Sequence, residues 1–211
     1  MLLTTTLLHL LLVGFCSATE YYVKPTLSQE TFCPRESCYT LDELAAKYFY
    51  ASATDVLMDN VTVVFQSGTH ELKGFLFVRE VNDFTLLGAG GINGESHVEV
   101  NCKGVSSLVF DTIINLTITK ITFSQCGTLY QYEDLGLPLE APRINALTFS
   151  NVFDLRLMWV EIEKSVNTAI LAVNVLGSSV IDNSVFQSFS DSQFQRKYYT
   201  SHRIYIANCS L

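Results

Sequence analysis

The amino-acid sequence predicts an all-β fold, a parallel solenoid in which successive coils lay equivalent short strands on one another. Two observations predict this fold. From Val61 onward the chain consists of short runs of β-branched and aromatic residues, which alternate with period two and are interrupted by turn residues; this pattern is typical of strands. The runs also align with one another at a repeat of about 23 residues, and such self-similarity indicates a repeat architecture.

One position of the repeat carries an Asx or Ser residue at the turn between two strands. Asparagine and aspartate tolerate the left-handed backbone conformation and hydrogen-bond locally, so they suit a tight corner. We therefore expect the five turn residues to lie one above another. They are Asn60, Asp83, Asn115, Asp154 and Ser178. The intervals from Asn60 to Asp83 and from Asp154 to Ser178 are each one repeat long. The two intervals between them contain extra residues.

The strands on both sides of this turn align under the same offsets. Before the turn, residues 76–78, 108–110, 147–149 and 171–173 fall in register, and after it Ile121 aligns with Val160, and Phe123 with Ile162 and Phe186. Leucine-rich repeats have a similar length but require a regular leucine frame, which is absent here. A β-sandwich also has many short strands, but it does not require three strand positions to align across units.

The chain begins with an apolar segment, residues 7–15, followed by Cys16-Ser17-Ala18. A short apolar run before small residues is typical of a secretory signal peptide, so we expect residues 1–18 to be removed. The alternative is a membrane anchor, but this run is shorter than the ~20 residues that a bilayer span needs. Residues 19–56 then form an N-terminal cap with a disulfide loop and a helix, and residues 57–211 form the solenoid.

Helix signals are convincing in one segment of the cap. Thr40 can cap the first turn, and Glu43 can reach back to complete a capping box. Apolar residues then recur at spacings of three and four, which predicts a packed amphipathic helix.

Composition and charge exclude several classes of function. The 211 residues are 48% hydrophobic, which suffices for one sizeable core and argues against a disordered chain. The net charge of -8 removes the basic surface that nucleic acids and anionic membranes require. We expect no nucleic-acid partner and no membrane span in the mature chain.

Five cysteines remain once the leader is removed. In an oxidising compartment cysteines pair by default. Cys33 and Cys38 flank a small loop, while Cys102 and Cys126 are separated by one coil, which places them near the ~4.8 Å strand spacing. We expect both pairs as disulfides, with Cys209 left over. Zinc is the competing interpretation for the first pair, but a second pair of ligands is missing; we expect no metal and no cofactor.

Three sequons, at Asn60, Asn115 and Asn208, predict N-glycans on an extracellular surface. The first two are also turn residues. Both must therefore face outward, because an inward-pointing asparagine cannot carry a glycan.

Extra residues in a solenoid leave as loops, commonly on the binding face. The longest insert, residues 127–145, contains Tyr130, Tyr132, Glu133 and Asp134, and we expect any ligand to meet the face that bears it. A loop without function is the alternative. The glycine-rich residues 88–91 lack the spacing and the following helix of a nucleotide site.

Several segments resemble a known family: YYVKP at residues 21–25, CYTLDEL at 38–44, VTVVFQSGTHEL at 61–72 and VNDFTLLG at 81–88. They are similar to the N-terminal part of secreted right-handed parallel β-helix proteins of multicellular animals, in the pectin-lyase-like superfamily. The resemblance implies a capping helix ahead of a right-handed, three-faced coil, and a largely uncharacterised function. Many relatives are larger, which leaves open whether this chain is a fragment.

Enzymes of this superfamily use carboxylates, either with calcium and a base or as an acid pair. Their motifs are absent from this sequence. Glu161 and Glu163 are two residues apart on one strand, so they face the same side and form the best carboxylate pair, although a solvated face explains them as simply. His70 and His97 lie outside any Ser/His/Asp arrangement.

We therefore predict a non-catalytic extracellular module with no catalytic residues, a cell-surface or matrix protein that serves as a scaffold or binds carbohydrate or another extracellular protein. The alternative is a polysaccharide lyase or glycoside hydrolase.

Overall fold

The computed structural model describes residues 18–26, 38–53, 55–89, 97–127, 145–165, 168–188 and 204–207. Within these ranges the chain forms one helix and twelve strands. In chain order the elements are β1 (Thr19–Lys24), β2 (Cys38–Thr40), α1 (Leu41–Tyr48), β3 (Val61–Phe65), β4 (Gly68–Glu71), β5 (Leu76–Gly88), β6 (Val98–Asn101), β7 (Leu108–Ser124), β8 (Leu147–Ser165), β9 (Ile170–Val173), β10 (Val180–Asp182), β11 (Val185–Ser188) and β12 (Ile204–Ala207). The described part of the chain is mainly β with one short helix.

Helix α1 begins at a reciprocal cap. The Thr40 hydroxyl accepts a hydrogen bond from the Glu43 backbone N–H at 3.3 Å, and the Glu43 carboxylate accepts one from the Thr40 N–H at 2.7 Å. The predicted capping box is present. Leu41, Leu44 and Ala45 form the buried face, and the helix contacts β1, β2 and β4. It therefore packs at the N-terminal end of the sheet.

All strand pairs among the described residues are parallel. The main order is β12-β9-β8-β7-β5-β3-β1-β2, while β10 and β11 pair with β8, and β6 pairs with β4 and β7. From β3 to β9 this order follows the chain. Each segment is therefore laid beside the previous one in a long parallel sheet.

The longest strands turn corners at residues with left-handed backbone. Asn60, Asp83, Asn115 and Asp154 have φ of 59°, 55°, 60° and 62°. Each precedes a residue in one paired column, Val61, Phe84, Leu116 and Leu155. These four predicted turn residues therefore lie one above another, as expected.

The fifth predicted corner is wrong by one residue. Gly177, with φ of 83°, takes the left-handed conformation, and Ser178 does not. Phe153 pairs with Leu176 before this corner, and Arg156 pairs with Val180 after it. The later segment thus holds one more residue between these two pairs than β8 does, and a glycine adopts the left-handed conformation at lower cost than serine.

The same extra residue explains a second correction. The prediction applied the offset of the corner to the strand before it and so aligned Leu147 with Leu171. The extra residue lies after that strand, at the corner, so Leu147 pairs with Ile170 instead. The other aligned positions are confirmed: Leu76 with Leu108 and Leu147, Ile121 with Val160, and Phe123 with Ile162 and Phe186.

The core consists of the inward-facing residues of these strands, stacked in columns. The rings of Phe110 and Phe149 stack with centroids 5.5 Å apart, and Phe84 and Phe123 are also fully buried. Buried aromatic rings each remove a large apolar area from water, so the columns hold successive units together.

A disulfide joins Cys102 to Cys126, with Cα atoms 4.7 Å apart. This is the pair predicted from their one-coil separation, and both cysteines are buried. Cys38 is also disulfide-bonded, and its predicted partner Cys33 lies outside the described residues. No helix in the described part of the chain is long and apolar enough to cross a membrane.

Candidate functional site

Three glutamates lie on the outward side of the β6, β7 and β8 ladder. In these strands Val100, Phe123 and Ile162 pair laterally and are buried. Because side chains alternate along a strand, the residues on either side of them face outward. Glu99, Glu161 and Glu163 occupy such positions, and we call these three residues the acidic strip.

The acidic strip is built from two rows of polar residues that run across the strands. Both rows follow from the strand register of β4, β6, β7 and β8. The first row is Thr69, Glu99, Thr122 and Glu161, and the second is Glu71, Asn101, Ser124 and Glu163.

Glu99 is held by hydroxyl groups from both neighbouring strands. The Thr69 hydroxyl donates to its carboxylate at 3.0 Å, the Asn101 amide donates at 3.4 Å, and the Ser124 hydroxyl donates a short hydrogen bond. Burial would raise the pKa of Glu99, but the hydrogen bonds from Ser124 and Thr69 outweigh it and lower the pKa below its usual value. Glu99 is therefore a fixed anion at neutral pH.

The pKa of Glu161 shifts in the opposite direction. Burial raises the pKa of Glu161, and the negative charge of Glu163 and a hydrogen bond with it raise the pKa further, while His97 opposes the shift. Two carboxyl groups that share a hydrogen bond resist losing both protons. The acidic strip thus contains one carboxylate stabilised as an anion and one carboxyl group that favours its proton.

Stability should respond to pH through Glu161. Because its folded pKa is raised, this carboxyl group favours the folded state below the unfolded pKa of ~4.3 and loses that contribution as pH rises through the folded value. We expect Glu161→Gln to raise the thermal midpoint at pH 7 and to leave it unchanged at pH 3. Differential scanning calorimetry at both pH values measures this, with Glu80→Gln, at an exposed corner, as the matched control; an equal gain in both variants would contradict the prediction.

Two further residues border the acidic strip. His97 is exposed, immediately precedes β6, and acts electrostatically on both Glu99 and Glu161. Trp159 is 44% exposed and forms a left-handed corner with φ of 53°, two residues before Glu161. An exposed indole beside acceptor groups offers an apolar platform next to polar anchors.

The strip has no evident metal site. No group of three His, Cys, Asp or Glu residues that could hold an ion occurs among the described residues. Outside the strip, His70 is buried, and its Nε2 lies 2.7 Å from the Gln66 carbonyl oxygen. This contact indicates that His70 serves in packing.

Other predicted site residues are only partly described. Tyr130, Tyr132, Glu133 and Asp134 lie outside the described residues, as does Asn208. Asn60 and Asn115 are corner residues, and Asn115 is exposed.

Sequence reasoning identified Glu161 and Glu163 by their period-two spacing, but it missed Glu99, Ser124 and Trp159. A signal for Trp159 existed, since it is the chain's only tryptophan.

The described chain is a mainly β protein built on a long parallel sheet. No family model matches it, and no curated protein does. One solved structure that it resembles is a "putative glycosyl hydrolase" from Parabacteroides merdae, at 9% identity over 73% of this chain and 75% of that one, with a TM-score of 0.36.

Proposed function

We propose that the chain is a secreted, non-catalytic, right-handed parallel β-helix module of the pectin-lyase-like kind, which binds carbohydrate through its acidic strip. Parallel pairing in chain order and left-handed corners in register support the β-helix. In this proposal residues 1–18 are a leader, residues 19–56 a cap, and residues 57–211 the β-helix. The disulfides at Cys38 and Cys102–Cys126 fit an oxidising extracellular compartment.

The observation that carries the binding proposal is the half-buried acidic strip. Carboxylates accept several hydrogen bonds at fixed angles, and the hydroxyl groups of a sugar are donors that match them. The parallel ladder places Glu99 and Glu161 on rigid strands, so little entropy is lost when a ligand binds. Trp159 can stack against the apolar face of a sugar ring.

Charge restricts the class of carbohydrate. Among the described residues, four carboxyl groups lie on this face once Glu71 of the second row is included, against one cation, Lys103, which pairs with Glu71 at 2.7 Å. The whole chain has a net charge of -8. A polyuronate or a sulfated glycan would bring like charges together, which costs binding energy. The ligand is therefore a neutral glycan or one that carries amino sugars.

Glu161 and Glu163 share the outward face of one strand, and the charge of Glu163 helps to raise the pKa of Glu161. In this proposal both side chains bind sugar hydroxyl groups as hydrogen-bond acceptors. The non-catalytic part of the proposal rests on the sequence, in which the catalytic motifs of pectin-lyase-like enzymes are absent.

Gly127, the first residue of the insert 127–145, comes three residues after Ser124 in the sequence. Its tyrosines, Tyr130 and Tyr132, remain predicted contacts for the same ligand.

Binding should depend on Trp159 and Glu161. With neutral and amino-sugar polysaccharides immobilised on an array, Trp159→Ala and Glu161→Gln should each weaken binding about 10-fold or more, as the loss of a central contact does. Glu80→Gln, which removes the same charge at an exposed corner, should bind like the unchanged protein. Equal binding by all variants, or a preference for polyuronates, would contradict the proposal.

One observation favours hydrolysis as a second candidate function. Glu99 and Glu161 lie in the same row, separated by β7, and their pKa values shift in opposite directions, as those of an acid and a base do. Release of reducing ends from a neutral polysaccharide, abolished by Glu161→Gln and by Glu99→Gln, would establish this function and overturn the non-catalytic proposal.

A further inference from the structure

We propose that an N-glycan attached to Asn115 packs over an exposed apolar ladder formed by Ile114, Phe153 and Leu176. The inference rests on the secretory routing in the proposed function, because N-glycans are added to secreted chains. It concerns a different face of the chain from the acidic strip.

The apolar ladder consists of three outward-facing side chains in register. Ile114 pairs with Phe153, which pairs with Leu176, and the three are 50%, 48% and 47% exposed. Single exposed apolar residues are ordinary, but three residues stacked in register, two on β7 and β8 and the third in a bridge to β8, form a continuous patch, and such patches mark contacts. The Phe153 ring would lie 3.1 Å from a Cβ atom at Gly177, so the corner glycine leaves room for the ring.

Asn115 stands directly beside this ladder. It follows Ile114, is exposed, and turns the chain with φ of 60°. Its Nδ2 donates a hydrogen bond to Asp83 Oδ1 at 2.7 Å, which orients the amide and uses one of its two hydrogens; the other position is available for the bond to a sugar.

The rest of the sequon also suits attachment. Leu116 is buried, so Asn115 and Thr117 on either side of it both face away from the core. An asparagine that points into the core cannot carry a glycan. Asn115 does not point inward, since its hydrogen bond to Asp83 runs along the outer surface.

The distances allow the first sugars to cover the ladder. Ile114 is the adjacent residue, and Phe153 lies one strand away, at about the ~4.8 Å strand spacing. The C–H face of a sugar ring packs on aromatic and aliphatic side chains. A glycan in this position removes apolar surface from water, which stabilises the folded chain.

The second sequon supplies a matched comparison. Asn60 occupies the same corner column two strands earlier, but the neighbouring ladder positions there are polar. Asp59 accepts hydrogen bonds from the Asn82 backbone N–H at 2.8 Å and from its side chain at 3.1 Å. A glycan on Asn60 therefore meets hydrogen-bonded polar groups where the Asn115 glycan meets apolar ones.

The test uses the full chain, secreted from a eukaryotic cell line, with glycan occupancy read by glycopeptide mass. Both Asn60→Gln and Asn115→Gln place glutamine at a left-handed corner, so the difference between them reports the glycan: Asn115→Gln should lower the thermal midpoint by about 2–4 °C more than Asn60→Gln does, and it alone should raise the fluorescence of a dye that binds apolar surface. In a Phe153→Ser background, the effect of Asn115→Gln on the midpoint should shrink to that of Asn60→Gln, and the dye fluorescence should not rise further.

A second measurement needs no substitution. Trimming the glycan to its first sugar should preserve the low dye fluorescence, and complete enzymatic removal should raise it. An unmodified Asn115 in a secreted protein that is glycosylated at Asn60 would overturn this inference alone, as would equal effects of Asn115→Gln with and without Phe153. Retention of the chain in the cytosol would overturn both the secretory routing and this inference.

Discussion

Replacing Gly88 with alanine is expected to reduce the free energy of unfolding by about 3 kcal/mol, the cost of overpacking a site that cannot relax. A Cβ atom at this position would overlap the backbone carbonyl oxygen of Lys120 and lie 2.9 Å from its carbonyl carbon. The carbonyl group cannot move away easily, because Lys120 is itself a left-handed corner with φ of 58° and the preceding Thr119 pairs with Leu87.

Equilibrium unfolding in urea measures the loss, and Gly74→Ala is the matched control. A Cβ atom at Gly74 would meet the edge of the Tyr50 ring at 3.0 Å, and a ring can shift by a few tenths of an ångström more readily than a strand backbone. The control should therefore cost much less. A Gly88→Ala variant as stable as Gly74→Ala would show that the β5–β7 junction tolerates a side chain.

The corner at Asn60, Asp83, Asn115 and Asp154 could be predicted because its residues have an intrinsic tendency toward left-handed backbone. The other corners could be predicted only in part. Asn151, Asn174 and Asn183 share this tendency and have positive φ. Glu80, Thr112, Lys120, Trp159 and Lys164 also have positive φ, although such residues rarely adopt it. The surrounding strand pairs impose this conformation at some local cost, and no single-residue preference reveals it.

Only the part of the acidic strip that lies on a single strand could be predicted from the sequence. Glu161 and Glu163 share a strand, so their common face follows from period two. Glu99 joins them through the pairing of β6 with β7 and of β7 with β8. The register of β7 with β8 was predicted across the insert, residues 127–145, and is confirmed. The short strand β6 was not aligned with any other strand, so its pairing with β7, and with it Glu99, was missed.

Gly88 shows a related limit. A glycine-rich run predicts a loop, yet Gly88 ends β5 and lies beneath a neighbouring carbonyl group. Both a loop and a close backbone approach favour glycine, so composition cannot separate them.

Removing the Cys102–Cys126 disulfide with paired alanines is expected to reduce the free energy of unfolding by about 3.5 kcal/mol, the loop-closure value for a loop of this length. Cys102 follows β6 and Cys126 follows β7, so the bond ties the first strand of the acidic strip to the second. Ser124, two residues before Cys126, donates to Glu99. The same change should therefore also weaken any ligand that depends on Glu99.

Urea unfolding with and without a thiol reductant separates the Cys102–Cys126 disulfide from the disulfide at Cys38. The unchanged protein should lose stability in reductant by at least as much as the double-alanine variant loses without it. The double-alanine variant lacks the Cys102–Cys126 disulfide. Any further loss of stability that it shows in reductant therefore measures the contribution of the disulfide at Cys38. A variant within about 1 kcal/mol of the unchanged protein would mean that the buried columns around Phe123 and Val100 hold β6 against β7 without the covalent bond.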